Sequence, residues 1–261
     1  MEIVGYIALV GIGLILGMIG GGGSLLSIPI LVYLFSMDVV TASSYSLFIV
    51  GMTSLVGAWI KQKEQRLDLR LGFVFGINSM LAIFFTRKWI IPNIPDILIL
   101  SDTAFITKRA LVLAVFAALA MASSIMILWQ TTYPLNEDEK PRMTYLILAG
   151  VVTGALIGFV GAGGGCLILP ALVFFARLQF RIAVGTTLLI IAFNSLLGFI
   201  GDVMNYTIDW VFLLLITCLA ILGMLIGSIS GNKIPVRFLR FSFGWIMMII
   251  GMSTLINELL L

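Results

Sequence analysis

Histidine is absent from the 261 residues. Its absence removes serine–histidine–aspartate catalysis, histidine-ligated metals and haem, and histidine proton relays. Cysteine occurs twice, as Cys166 and Cys218 in apolar surroundings, too few for a zinc or iron–sulfur site and no basis for a disulfide framework. No metal and no cofactor is expected. Charge is scarce as well: fifteen Lys/Arg and twelve Asp/Glu make up 10% of the chain, against about 25% in soluble domains, whose surface must be hydrated. A soluble enzyme, a disordered chain and a nucleic-acid binder are thereby excluded. No Asp, Glu, Lys or Arg falls in the middle of an apolar run, so the carboxylate that usually marks proton coupling inside a membrane is missing too. The start, Met1-Glu2-Ile3-Val4, lacks a basic leader region and a small-residue cleavage site, so no signal peptide is expected.

What remains is apolar. Hydrophobic residues make up 61% of the chain and the mean hydropathy is +1.19, as expected of a multi-pass protein of the cell membrane. A hydrocarbon core of about 30 Å requires about 20 apolar residues in a helix. Six stretches qualify, near 39–60, 70–88, 109–131, 182–201, 209–229 and 240–260. Two longer ones, 5–36 and 144–176, are interrupted by glycine runs, Gly20 to Gly23 and Gly161-Ala162-Gly163-Gly164-Gly165. Glycine costs a helix about 1 kcal/mol per residue relative to alanine, so both helices should break there.

The two broken segments head an internal repeat. A shift of 141 residues lays Gly13–Gly57 on Gly154–Gly198 without a gap, with fifteen identities in forty-five positions that include aligned glycines and the Pro29/Pro170 pair. Residues 1–131 form the first repeat, with an insertion at 89–108; 132–143 is a linker expected on the cytoplasmic side; 144–261 is the second repeat. Equivalent loops differ in charge. Residues 61–70 hold four Lys/Arg and their counterpart 202–209 none, whereas 36–40 holds none and 177–181 holds Arg177 and Arg181. Under the positive-inside rule equivalent loops then lie on opposite sides, and the repeats are inverted.

Inversion requires an odd number of crossings per half. With re-entrant glycine-broken hairpins, eleven Lys/Arg fall inside and four outside; with fully crossing broken helices the split is nine to six. The expected fold class is therefore an all-α integral membrane protein of two inverted repeats, each a re-entrant glycine-broken hairpin plus three transmembrane helices. A broken helix that crosses completely is the alternative.

Broken backbone at membrane depth is tolerated only where protein or water covers it. The helices restarting near Ser24 and Cys166 would direct free N–H groups and positive dipole ends toward the bilayer centre, an anion site made without Lys or Arg. Candidate backbone donors are Gly20, Gly21, Gly22, Gly23 and Ser24 in the first half, and Gly161, Gly163, Gly164, Gly165 and Cys166 in the second. On the next helix of each half, Ser46 and Thr53 lie seven apart on one face, as do their counterparts Thr187 and Asn194, and could complete an anion's coordination. Glycines that merely let helices approach, and hydroxyls bonded to their own i−4 carbonyls, are the competing readings.

The doubled pattern Gly17-x-x-Gly-Gly-Gly-Gly…Pro29 and Gly158-x-x-Gly-x-Gly-Gly-Gly…Pro170, heading each half of a chain of this length, resembles the sulfite exporter TauE/SafE family of membrane permeases. The resemblance implies a secondary transporter of small sulfur-containing anions, such as sulfite or organosulfonates, working by alternating access at a midplane site. Its partners would be that anion and the lipid bilayer, with monomer and homodimer both open. An anion channel and a non-transporting assembly subunit are the alternatives. An enzyme is not expected.

Overall fold

The structure, a computed structural model, describes residues 2–21, 24–37, 39–90, 93, 97–101, 104–129, 143–160, 165–203 and 208–260. Among the described residues ten α-helices run in chain order: α1 (Glu2–Ile19), α2 (Ser24–Leu34), α3 (Val39–Lys63), α4 (Leu69–Phe85), α5 (Lys108–Trp129), α6 (Met143–Val160), α7 (Gly165–Phe175), α8 (Phe180–Val203), α9 (Trp210–Lys233) and α10 (Val236–Leu260). The 89–108 stretch supplies the exception to helix. A π-helical turn, Thr86–Ile90, leads into a small antiparallel ribbon of β1 (Ile97–Ser101) and β2 (Ala104–Thr107), with Leu98 opposite Ile106. Five spans among the described residues are long and apolar enough to cross a membrane: Thr41–Lys63, Leu69–Ile90, Phe180–Ile200, Trp210–Lys233 and Val236–Ser253. The protein is a multi-pass membrane protein.

Local chemistry sets the helix ends. The first glycine run does break its helix: α1 stops at Ile19, Gly20 and Gly21 bend, and α2 starts at Ser24; α6 is described to Val160 and α7 from Gly165, the residues 161–164 lying outside the described ones. Gly20 takes φ +83, a backbone conformation that side chains with a Cβ disfavour. Asp68 caps α4 by accepting from Leu71 N at 2.9 Å, and Asp209 caps α9 by accepting from Val211 N and Phe212 N at 3.1 Å. The ends of α2 and α7 also match. Ser36 (φ 52) and Arg177 (φ 50) turn left-handed, and Met37 N donates to Leu31 O as Leu178 N donates to Leu172 O, both at 3.3 Å.

Packing follows the same 141-residue register. Helix α1 lies along α9 and α6 along α4, while α3 packs on α8 and α5 on α10. Gly13 abuts the backbone of Ala220 and Gly17 that of Met224, with Gly223 and Gly227 receiving Val10 and Leu14 from the other side. Residue numbers rise together, so α1 and α9 run parallel. In the other pair Gly154 abuts Ser79 and Gly158 abuts Ile83. Those positions are 141 removed from Gly13, Ala220, Gly17 and Met224, in swapped halves. Across the centre, Gly57 meets Leu188 and Gly198 meets Leu47, so α3 and α8 run antiparallel and exchange the same contact. Phe35, just past α2, rests against Gly5 and the Tyr6 ring near the start of α1, so this hairpin begins and ends at one end of the bundle.

Lipid gives apolar helices no hydrophobic reason to associate, so small residues that admit close backbone packing hold such interfaces together. A Cβ on Gly13 would run into the Ala220 carbonyl, whereas nothing lies within 4 Å of one on Gly11. Gly13→Ala should therefore cost about 1–3 kcal/mol by overpacking, and Gly11→Ala should not destabilise. Thermal unfolding of both variants in detergent checks this.

Candidate functional site

The residues singled out by sequence fall into separate places. Gly20 packs on Val184, near the start of α8, and Met18 beside it lies against Gly231 near the end of α9. Gly158, leading into the second glycine run, packs on Ile83 and Thr86 at the end of α4. Helix α4 starts where Asp68 meets Thr186, beside Val184, so its far end lies at the opposite end of the bundle. Gly20, in the first run, and Gly158, leading into the second, therefore lie at opposite ends of the bundle. The reason is length: α1 and α6 have 18 residues each, about 27 Å at 1.5 Å per residue, most of a bilayer. Ser24 begins α2, and Gly165 and Cys166 begin α7; Gly21 is buried beside the first break. Gly22, Gly23, Gly161, Gly163 and Gly164 lie outside the described residues.

The hydroxyl-bearing candidates lie between those ends. Ser46 is buried on α3, and its hydroxyl pairs with that of Ser27 on α2. Thr53, fully buried, donates back to Ile49 O and, at 3.2 Å, to Val50 O, as an isolated membrane hydroxyl does. Thr187, the counterpart of Ser46, is 0% exposed and its hydroxyl has no partner among the described residues. In the 141-residue register Ser27 corresponds to Ile168, which offers no hydroxyl. Asn194, the counterpart of Thr53, donates to Ser79 Oγ at 3.4 Å, while its buried Oδ1 is unpaired among the described residues. An unpaired buried polar group costs about 1–3 kcal/mol, so α8 carries two polar atoms that helix packing alone does not explain.

Two further contacts tie the halves together. Tyr45 Oη accepts from Asp209 N at 2.8 Å, and Thr186 Oγ1 accepts from Asp68 N at 3.1 Å. Tyr45 and Thr186, like Asp68 and Asp209, are 141 residues apart, so each capping aspartate is docked on the other half by an equivalent hydroxyl.

At the end where α3 stops, sequence reasoning missed a basic pocket. It is lined by Gly17, Lys61, Arg66, Arg181, Asn232 and Leu239, among others. Lys61 is only 5% exposed. Its Nζ reaches Glu64 Oε2 at 3.1 Å and Asn232 Oδ1 at 3.2 Å. Arg66 bonds the same carboxylate at 3.2 Å and also bonds Asn232 Oδ1, while Asn232 Nδ2 donates to Glu64 Oε1 at 2.6 Å. Arg181 donates to the carbonyls of Asn232, at 3.4 Å, and Ile234, at 3.0 Å, closing the end of α9. Along the chain these residues read as loop charges; only the fold brings 61–66, 181 and 232 together. Ser27 and Ser79 were missed because their counterparts, Ile168 and Ala220, carry no hydroxyl and give no repeat signal.

Comparison with known proteins identifies the family. The sequence profile of the family described as "Sulfite exporter TauE/SafE" matches residues 6–254. The chain belongs to the TauE/SafE family. It is similar to YdhB of Bacillus subtilis (strain 168), named a probable membrane transporter protein, at 29% identity over 86% of this chain and 88% of the relative. A probable membrane transporter protein of Methanocaldococcus jannaschii is 26% identical over 97% of this chain and 94% of its own length. A third relative, the probable membrane transporter protein of Xylella fastidiosa (strain 9a5c), is 27% identical over 87% and 82%. No solved structure gives a significant match. This TauE/SafE member thus stands in a family of membrane transporters, not of enzymes.

Burial opposes ionisation of Glu64, but hydrogen bonds from Asn232 and Lys61, with the charges of Lys61 and Arg66, outweigh it and hold the carboxyl below its usual range. A carboxylate whose native pKa is depressed adds stability above its unfolded pKa, about 4.3 for Glu, and loses it as pH falls through the lower native value. Thermal unfolding should therefore drop as pH falls below about 5, and less steeply in Glu64→Gln.

Proposed function

We propose that this protein is a secondary transporter of small sulfur-containing anions, such as sulfite or organosulfonates, working by alternating access between two inverted repeats. The observation that carries the reading is the exchange of contacts between halves: α1 on α9 matches α6 on α4, and α3 packs antiparallel on its own counterpart α8. Two halves of opposite hand to the membrane have two equivalent ways of packing, one open to each side, which is how inverted-repeat transporters alternate. The repeats are residues 1–131 and 144–261, joined by a cytoplasmic linker at 132–143.

Charge supports the orientation. Lys61, Lys63, Arg66, Arg177, Arg181, Lys233, Arg237 and Arg240 all fall at one end of α3, α7, α8, α9 and α10, which the positive-inside rule assigns to the cytoplasm of a cell membrane. Each glycine-broken hairpin then enters and leaves on one side. The translocated anion passes Thr53 and Asn194 near the middle of α3 and α8, with Ser46 and Thr187 lining its path toward opposite ends of that antiparallel pair and backbone N–H groups of residues 20–24 and 161–166 bordering it. Neutral donors suit such a cargo, because a sulfonate or sulfite oxygen accepts several hydrogen bonds and no counter-charge has to be carried along or left unpaired.

Two measurements test the reading. Proteoliposomes should take up labelled sulfite or sulfoacetate with saturating kinetics; unsaturable flux would mean a channel, and no flux of any sulfur anion would remove the substrate assignment. Single cysteines at positions 64 and 179 should react only from inside, and at 38 and 205 only from outside. Labelling of 179 from outside would overturn the hairpin topology.

A further inference from the structure

The basic pocket at the end of α3 is more than a set of interfacial charges. It is walled by α1, α3, α8, α9 and α10, helices from both halves, and by the loop that carries Arg66. Three cationic side chains, Lys61, Arg66 and Arg181, face it, and the acid bonded to the first two, Glu64, offsets one charge. That carboxylate accepts from three donors at once, Lys61, Arg66 and Asn232, the coordination that an oxyanion would seek.

Nothing in the repeat requires this arrangement. In the 141-residue register Lys61, Arg66 and Arg181 correspond to Asp202, Thr207 and Val40, and Glu64 to Asn205. Where the halves share a structural need, their contacts match, as at Asp68 and Asp209. Here the three cations face the hairpin tip at Gly17 and Met18, and the corresponding positions of the other half carry none.

We propose that the Lys61–Arg66–Arg181 pocket is a one-sided binding site for a small oxyanion, and that the Glu64 carboxylate occupies it as an internal competitor until the anion displaces it. This deepens the transport reading and rests on it for the identity of the anion, because the pocket would receive or release the transported species at the basic end. Displacement leaves Asn232 Nδ2 and the two cationic groups to the incoming oxygens, so no donor is stranded. It also removes the Glu64 link between the α3–α4 loop and α9, leaving the Arg66–Asn232 bond to join them.

The test is binding in detergent, followed by thermal unfolding with sulfite or methanesulfonate against chloride at equal ionic strength. Wild-type protein should be stabilised by the sulfur oxyanions beyond chloride. Glu64→Gln, which removes the competitor's charge, should bind sulfite about tenfold more tightly. Asn232→Asp, which places a second carboxylate against Lys61 and Arg66, should abolish the stabilisation. Unchanged or weaker sulfite binding in Glu64→Gln overturns the proposal, as does retained binding in Asn232→Asp. An anionic phospholipid headgroup offers the same oxyanion chemistry, so phosphatidylglycerol is titrated in a parallel arm; stabilisation by that lipid without any by sulfite also overturns it. Liposome uptake separates the two readings. If no sulfur anion is transported while Glu64→Gln still tightens sulfite binding, transport fails and the pocket stands. Saturable uptake with no Glu64 effect fails the pocket alone.

Discussion

The structure depends on how closely two pairs of parallel helices approach. Helix α1 can lie along α9 only because Gly13, Gly17, Gly223 and Gly227 bring backbone against backbone. In water, burial of apolar surface would reward many looser arrangements. In lipid it rewards none, since the tails are as apolar as leucine, and association falls to van der Waals contact at short range. A contact of that kind is intolerant: one added methyl group at Gly13 meets a carbonyl of the other helix. The α6–α4 pair repeats the device with Gly154 and Gly158, so both halves are fixed to each other by the same interaction used twice.

Around those pairs the polar groups divide into two kinds. Some are fully used by the fold. Asp68 and Asp209 each cap a helix and dock through their own N–H on a hydroxyl from the other half. Thr53 turns back on its own helix. Others are left over: among the described residues Thr187 and the Asn194 carbonyl oxygen are buried without a partner, and the cations at the end of α3 outnumber the acid that holds them.

Much of this was legible in the sequence, and the reason is periodicity. Apolar runs of bilayer length placed α3, α4, α5, α8, α9 and α10, because a lipid-facing helix has to be apolar along its whole length. The first glycine run placed the break after Ile19, because local backbone entropy decides it. The register found over 13–57 proved to extend to Asp68 and Asp209, and through α4 and α9, where sequence identity fades but contacts persist. What misled was depth. A glycine run says that a helix ends, not how far the helix has travelled first, and 18 residues carry α1 and α6 across most of the bilayer. The small ribbon of β1 and β2 escaped notice for a related reason: the 89–108 stretch has no repeat partner against which to read it.

The sequence by itself determined that this chain lives in a membrane, that it is built twice, where its helices start and stop, and which family it resembles, since each follows from local composition or from comparison of the chain with itself. Tertiary structure alone decided which helix lies on which, that Gly20 and Gly158 lie at opposite ends, that Thr187 lacks the partner Ser46 has, and that Lys61, Arg66, Arg181 and Asn232 share one pocket. Those facts concern residues far apart along the chain. Their meeting is set by close packing in a medium that offers no hydrophobic drive, and close packing depends on the shape of both surfaces at once, which no single segment contains.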